Sequence, residues 1–332
     1  MPHRPVHAAL AAMLASSFVA LAQPAAAAGC ADVFPASYVA ALDRTYPGLR
    51  ITAAVFDTRT GCWHDLHRER RLTTASVVKA GVLGSVLLRA QDAGRTLTSS
   101  ELTLAAPMIR LSHNPPTSSL YASIGGPAGL DRYETRLGAT AETRYSSSFG
   151  ATVTSARDRT LVSLHLLHGG GTLRAPARGT AWQLMSSVHP TQRWGVSAGV
   201  RTGYEVALKN GFYPMRDNGW RLGSTGVVRA SDTRRGYAIT VLTDRSPDHR
   251  TGQRAVEDVS RRVASLLTGS GAVQPRPVDR AVCVQAGAGE SWAQLAVRLR
   301  LPASRAGEVS SVAGGNGTPL RGQRVCSPEL RR

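Results

Sequence analysis

Strand-forming segments stand at both ends of the main body of this chain, and helical segments fill the middle. Near the start, LRITAAVFD (49–57) alternates with β-branched residues, Thr58-Arg59-Thr60-Gly61 reads as a hairpin turn, and 62–66 returns as a second strand. Near the end, 206–212, 223–230 and 236–244 are rich in β-branched and aromatic residues, with turns between them. Helical spacing marks 34–46, a long apolar helix opening at Ser76 that Gly94 can terminate, and a block over 105–123 broken at Pro115-Pro116. Further helices are expected over 129–137, 155–167, 180–188 and 252–267. A sheet drawn from both ends of the chain and packed on a helical block is an α+β layout.

The chain has 332 residues, 42% of them hydrophobic and 19% charged, the balance of a globular protein. Its first residues read as a signal peptide over 1–28: a basic start at Arg4, an apolar run from 8 to 21, and Ala26-Ala27-Ala28 as cleavage site. Ala-Ala-Gly-Cys at 27–30 is also a loose lipobox, so a lipid-anchored Cys30 is the alternative. No later stretch holds 18 uninterrupted apolar residues, so no transmembrane span is expected. Residues 269–280 are rich in Gly, Pro and polar residues, as a linker should be. They divide a main domain, 29–268, from a small tail, 281–332.

The four cysteines are Cys30, Cys62, Cys283 and Cys326. In an exported chain two local bridges are expected, Cys30–Cys62 and Cys283–Cys326, out of three possible connectivities. The formal net charge of +18 favours anionic surroundings, a cell wall or membrane surface. Scattered arginines without interleaved aromatics argue against nucleic acid. The nine histidines show no metal-ligand spacing and are expected at the surface; no metal or other cofactor is implied. A secreted or wall-associated monomer is the expectation.

Of the 40 basic residues, 38 are arginine; the two lysines are Lys79 and Lys209. Lysine, unlike arginine, can lose its proton when buried and serve as a base. Lys79 follows Ser76 by three residues at a helix start, which puts both on one face beneath the helix's unpaired amides. Ser76 can then be a nucleophile and a neutral Lys79 its base. Ser112-His113-Asn114 supplies a hydroxyl that can relay a proton and an amide that can hold a substrate. Lys209-Asn210-Gly211-Phe212 lies on a strand: the lysine can attract a substrate carboxylate, the glycine permits close approach, and the Phe212 amide can join that of Ser76 as an oxyanion hole. A helix-start serine, a turn before proline and a strand-edge lysine would explain each piece separately; the ordered set is much harder to explain so.

The order S-x-x-K, S-x-N, K-x-G resembles the serine β-lactamase (class A) and penicillin-binding protein superfamily. The stretch MIRLSHNPPTSSLYASIGGPAGLDRYETRLG resembles the class A region around the second motif, and the likeness runs from about Ala36 to Leu267. It implies an antiparallel five-stranded sheet flanked by helices with an all-helical subdomain. It also implies an acyl-enzyme at Ser76, with Lys79 as base, Ser112 as relay, Lys209 as carboxylate anchor, and Asn114, Asn210, Gly211 and Phe212 contacting substrate. The substrate is expected to be a β-lactam or a peptidoglycan stem peptide.

The chain departs from that pattern in several places. RYSSSFGATVTSARD (144–158) has no glutamate where class A enzymes carry the one that activates the deacylating water, and Glu134 and Glu142 lack its motif context. The spacing from Ser76 to Ser112 is short, His113 replaces an aspartate, and Asn210 replaces Thr or Ser. Hydrolysis is therefore expected to be slow, leaving a D,D-peptidase or esterase as one alternative. A catalytically inactive peptidoglycan-binding protein is another. In the tail, Gly289-Glu290-Ser291-Trp292 and Leu320-Arg321-Gly322-Gln323 resemble a LysM module, which implies binding of N-acetylglucosamine-containing glycan.

Overall fold

The computed structural model describes residues 30–139, 143–215, 219–269 and 283–299, with 306, 309, 319, 321 and 324–326. The proposed signal peptide, the linker from residue 270 onward and Glu142 lie outside the described residues.

Five strands form one antiparallel sheet: β1 (Arg50–Asp57), β2 (Trp63–Leu66), β5 (Tyr204–Met215), β6 (Gly219–Ala230) and β7 (Gly236–Ser246). Their spatial order is β2-β1-β7-β6-β5, so both ends of the domain do meet, along the β1–β7 seam from Arg50↔Asp244 to Asp57↔Tyr237. The edge position of β5 explains why Pro214 is tolerated there, since a proline lacks the amide an inner strand must donate. A short pair, β3 (Leu72–Thr73) and β4 (Val153–Thr154), stands apart from this sheet.

Both faces of the sheet are covered. On β6, Ser224 Oγ accepts from Val196 N at 3.0 Å, and Leu222 abuts Gly252 of α8 (His249–Leu267). The next residue, Thr225, meets Ser163 of α6 (Ala156–Leu167) at 2.7 Å. Successive residues of a strand point to opposite faces, so α6 and α8 sandwich the sheet. This is why β6 and β7 are buried almost continuously, their polar residues included.

The helical block is built around α2 (Lys79–Asp92), in which only Arg89, Gln91 and Asp92 escape burial. A helix apolar on all sides must be enclosed. Around it stand α3 (Ser99–Arg110), α4 (Asn114–Ser123), α5 (Gly126–Arg136) and α7 (Ala175–Ser186); α1 (Ala36–Thr45) precedes the sheet. Gly84 lets α5 come close, because a Cβ there would sit 2.2 Å from the Tyr133 ring.

The expected break at Pro115-Pro116 is corrected. α4 begins at Asn114 with both prolines in its first turn, where the missing amide costs nothing, and the break falls at 111–113. α3 starts earlier than expected, on a capping box in which Thr98 and Glu101 bond each other's backbone amides. The expectation of surface histidines is also corrected: His249 and His64 are buried, and only His168 is exposed among the described histidines.

The described part of the tail has its own apolar cluster, Ala286, Leu295, Ala296, Leu299, Val309 and Val325. There β8 (Cys283–Gln285) pairs antiparallel with β9 (Arg324–Cys326), and α9 (Trp292–Arg298) is capped by Ser291 and Gln294. Cys283 and Cys326 are direct register partners. Cys30 and Cys62 are both disulfide-bonded, and no described cysteine is free. Among the described residues no helix is long and apolar enough to cross a membrane.

Candidate active site

Ser76 stands in a 3-10 turn, Ala75–Val78, that feeds directly into α2. Ala75 before it is left-handed at φ 46°, a conformation that costs an L-residue of order 1–3 kcal/mol and persists only where the surroundings enforce it. The enforcement comes from the edge strand. A Cβ on Gly211 would lie 2.5 Å from Val77 N and 2.7 Å from Ser76 N, so β5 presses its backbone against the serine turn where only glycine fits. That contact brings the K-x-G segment to S-x-x-K.

The second motif enters from the α3–α4 connection. Ser112 is left-handed at φ 63° and buried. Lys79 Nζ donates to the Ser112 carbonyl at 2.5 Å, to Ser112 Oγ at 3.2 Å and to Asn114 Oδ1 at 2.8 Å. Lys209 Nζ donates to the same Ser112 Oγ at 3.0 Å and to its neighbour's carbonyl, Asn210 O, at 2.5 Å. Both lysines have 0% exposure, and every one of these acceptors is neutral.

Burial without a counter-ion dictates the protonation. Desolvation holds the Lys79 amine well below the ordinary lysine range, and the nearby Lys209 lowers it further. Desolvation also pulls Lys209 down, to about 7. No acidic side chain bonds either amine among the described residues.

Ser76 opens on a cleft of about 940 Å³. Asn114, Tyr121, the 147–151 loop, Phe212, Tyr213 and Arg221 contribute to its walls. Ser76, Asn114 and Phe212 of the expected set thus reach the cleft, while Ser112 and Lys209 lie buried behind it. Ser76 and Lys79 do not hydrogen-bond each other; among the described residues the Ser76 hydroxyl has no partner, and Lys79 is turned to Ser112 and Asn114. Asn210 faces elsewhere: its amide donates to the carbonyls of Gln192 at 2.5 Å and Trp194 at 3.2 Å, so it ties β5 to the preceding loop.

Two residues escaped the sequence reading. Phe149, on the loop that lacks glutamate, places its ring 5.6 Å from Lys79 Nζ and edge-on to Tyr121. Arg221 reaches the cleft from β6. Neither belongs to a motif, and no sequence signal could have placed them. Glu134 is buried on α5, where Arg159 of α6 pairs with it bidentately and Tyr145 donates its hydroxyl at 2.8 Å. That carboxylate is fully engaged in joining two helices.

The family model described as "Beta-lactamase enzyme family" matches residues 84–267, more than half of the chain. The chain belongs to the beta-lactamase enzyme family. Membership makes it a serine hydrolase of the β-lactamase and D,D-peptidase type. The match takes in the Ser112 and Lys209 segments of this beta-lactamase-family chain and begins after Ser76 and Lys79. Similar solved structures include a point mutant of PBP-A, an acyl-enzyme complex with penicillin G, at 20% identity and TM-score 0.58, covering 69% of this chain and 94% of that one. An ancestral class A β-lactamase aligns at 21% identity and TM-score 0.58, over 69% and 98%. A β-lactamase from Xanthomonas campestris pv. campestris aligns at 17% and 0.58, over 70% and 97%. These likenesses establish the fold. No curated protein matches.

Proposed function

We propose that the chain is an exported enzyme that forms an acyl-enzyme at Ser76 on a β-lactam or a cell-wall peptide amide, and releases the acyl group slowly. The observation that carries this reading is the Lys79–Ser112–Lys209 chain, buried directly behind a cleft-facing serine. A neutral Lys79 has two N–H donors, which the Ser112 carbonyl and Asn114 Oδ1 accept; it gives up the longer third donation, to Ser112 Oγ, and its lone pair is there to take a proton. Ser76 Oγ attacks the carbonyl carbon while its proton passes to Lys79. The C–N bond then breaks, and the proton reaches the departing nitrogen through Ser112 Oγ. The Ser76 and Phe212 amides hold the oxyanion. Lys209, recharged beside a substrate carboxylate, anchors it.

Slow release follows from what surrounds Lys79. Hydrolysis of the ester needs a base placed for the incoming water, and the 144–158 loop carries no glutamate to serve as one, setting Phe149 beside Lys79. The signal-like N-terminus and the half-cystines Cys30 and Cys62 support export. For the tail we retain the LysM-like, wall-binding reading, supported by its separate β8–α9–β9 core. If removing residues 270–332 leaves binding to purified peptidoglycan unchanged, that reading fails.

Intact-protein mass spectrometry after mixing with benzylpenicillin, sampled from seconds to hours, tests the main proposal. A lasting adduct on Ser76, absent in Ser76→Ala, is the expected result. Rapid penicilloate accumulation with the protein mass unchanged would contradict slow release, and neither adduct nor turnover would reject acylation of β-lactams.

A further inference from the structure

We propose that Arg221 forms a subsite for a carboxylate carried on the acyl-donor side of the substrate. The inference rests on the acyl-enzyme reading above and adds to it a substrate class. Strand β5 is the sheet's edge, so an extended substrate can lie along it. With the carboxylate end at Lys209 and the reacting carbonyl at the Ser76 and Phe212 amides, the acyl portion runs on toward Tyr213 and Met215. A strand advances about 3.3 Å per residue, so that portion lies one to three residues beyond the oxyanion hole.

Arg221 is what waits there. It is the register partner of Tyr213, so the two side chains share a face, and both line the cleft. Its Nη1 donates to Thr73 Oγ1 at 2.9 Å, and its Nε to Asp244 Oδ1 at 3.0 Å. Those bonds fix the guanidinium yet leave donors unspent, since the group has five. The ion pair does not cancel its charge. Asp244 also faces Arg50, at 3.9 Å, so two guanidiniums share one carboxylate and Arg221 is only partly neutralised. The Arg221 side chain is 17% exposed, enough to meet a ligand while shielded from bulk water. An anion placed there gains a charge-assisted contact that a neutral group cannot make.

Two penicillins differing by a single carboxylate test this: benzylpenicillin and its α-carboxy analogue, carbenicillin. The readout is the ratio of their second-order rate constants for acylating Ser76, by mass spectrometry on the full-length mature protein. The wild type should favour the carboxylated probe about tenfold, the scale of one charge-assisted hydrogen bond. In Arg221→Gln the ratio should fall to about one, and Arg221→Lys, which keeps the charge, should restore part of it. Because each ratio is internal to one variant, a general loss of folded protein does not move it. A ratio unchanged in Arg221→Gln, or equal to one in the wild type, overturns the subsite while leaving the acyl-enzyme reading intact. A wild type that neither probe acylates overturns that reading, and the subsite with it.

Discussion

Lys79 and Lys209, the chain's two lysines, converge on one hydroxyl: their amines lie 3.2 and 3.0 Å from Ser112 Oγ. Two amines sharing an acceptor in a dry interior cannot both hold a proton cheaply. Arginine at either position would stay charged, which gives a chemical reason for lysine at these two places in a chain that otherwise uses arginine.

Lys79, as the base, should be indispensable to acylation and not to folding. Lys79→Met should leave a folded protein in which acylation of Ser76 by benzylpenicillin falls by about 10³-fold or more, as when a catalytic base is lost. Thermal melting and timed mass spectrometry measure the two quantities. An acylation rate within tenfold of wild type would remove Lys79 from this role.

Lys209 should leave a signature in stability against pH. Its folded pKa is about 7, against 10.5 in the unfolded chain. Between these values the unfolded chain binds the extra proton, so unfolding free energy rises with pH from about 7 to about 10.5. The penalty is complete below that window and gone above it. Urea unfolding across pH 7–10 should show this rise, and Lys209→Met should make it shallower, with the remainder coming from Lys79, whose buried amine is also held below the ordinary lysine range.

Glu134 offers a contrast between a structural and a catalytic carboxylate. Breaking its buried pair with Arg159 by Glu134→Gln should cost about 3 kcal/mol of stability, because the guanidinium loses its counter-charge in a dry site. The lifetime of the Ser76 acyl-enzyme should not change. A lifetime lengthened tenfold would make Glu134 the water-activating group.

Phe149 occupies a position from which a base could serve the deacylating water. Phe149→Glu should shorten the acyl-enzyme lifetime about 10²-fold, the low end of what a positioned general base contributes. Mass spectrometry of the decaying adduct reads the rate, and a lifetime equal to wild type would show that water lacks access from this side.

The cysteines give a prediction independent of catalysis. Non-reducing peptide mapping should find Cys30 joined to Cys62 and Cys283 joined to Cys326. The second pair stands directly across β8 and β9, where a bridge needs little backbone movement. A peptide joining Cys30 to Cys283 would overturn the pairing.

Sequence by itself determined the class of fold and singled out the residues proposed to carry the chemistry. Strand periodicity at both ends marked the sheet, and the long, mostly apolar run after Ser76 marked the buried helix, because periodicity and composition are local properties. The three motifs were legible for the same reason: each is a few residues long. What only the tertiary structure decided is how they meet. Lys79 turns to Ser112 and Asn114 and not to Ser76, and Asn210 turns away to the carbonyls of Gln192 and Trp194. Phe149, Glu134 and Arg221 acquire their places from the 144–158 loop, from Arg159 and from the register with Tyr213. Those contacts join residues distant along the chain. Their geometry depends on packing across whole elements, and no short stretch of sequence records it.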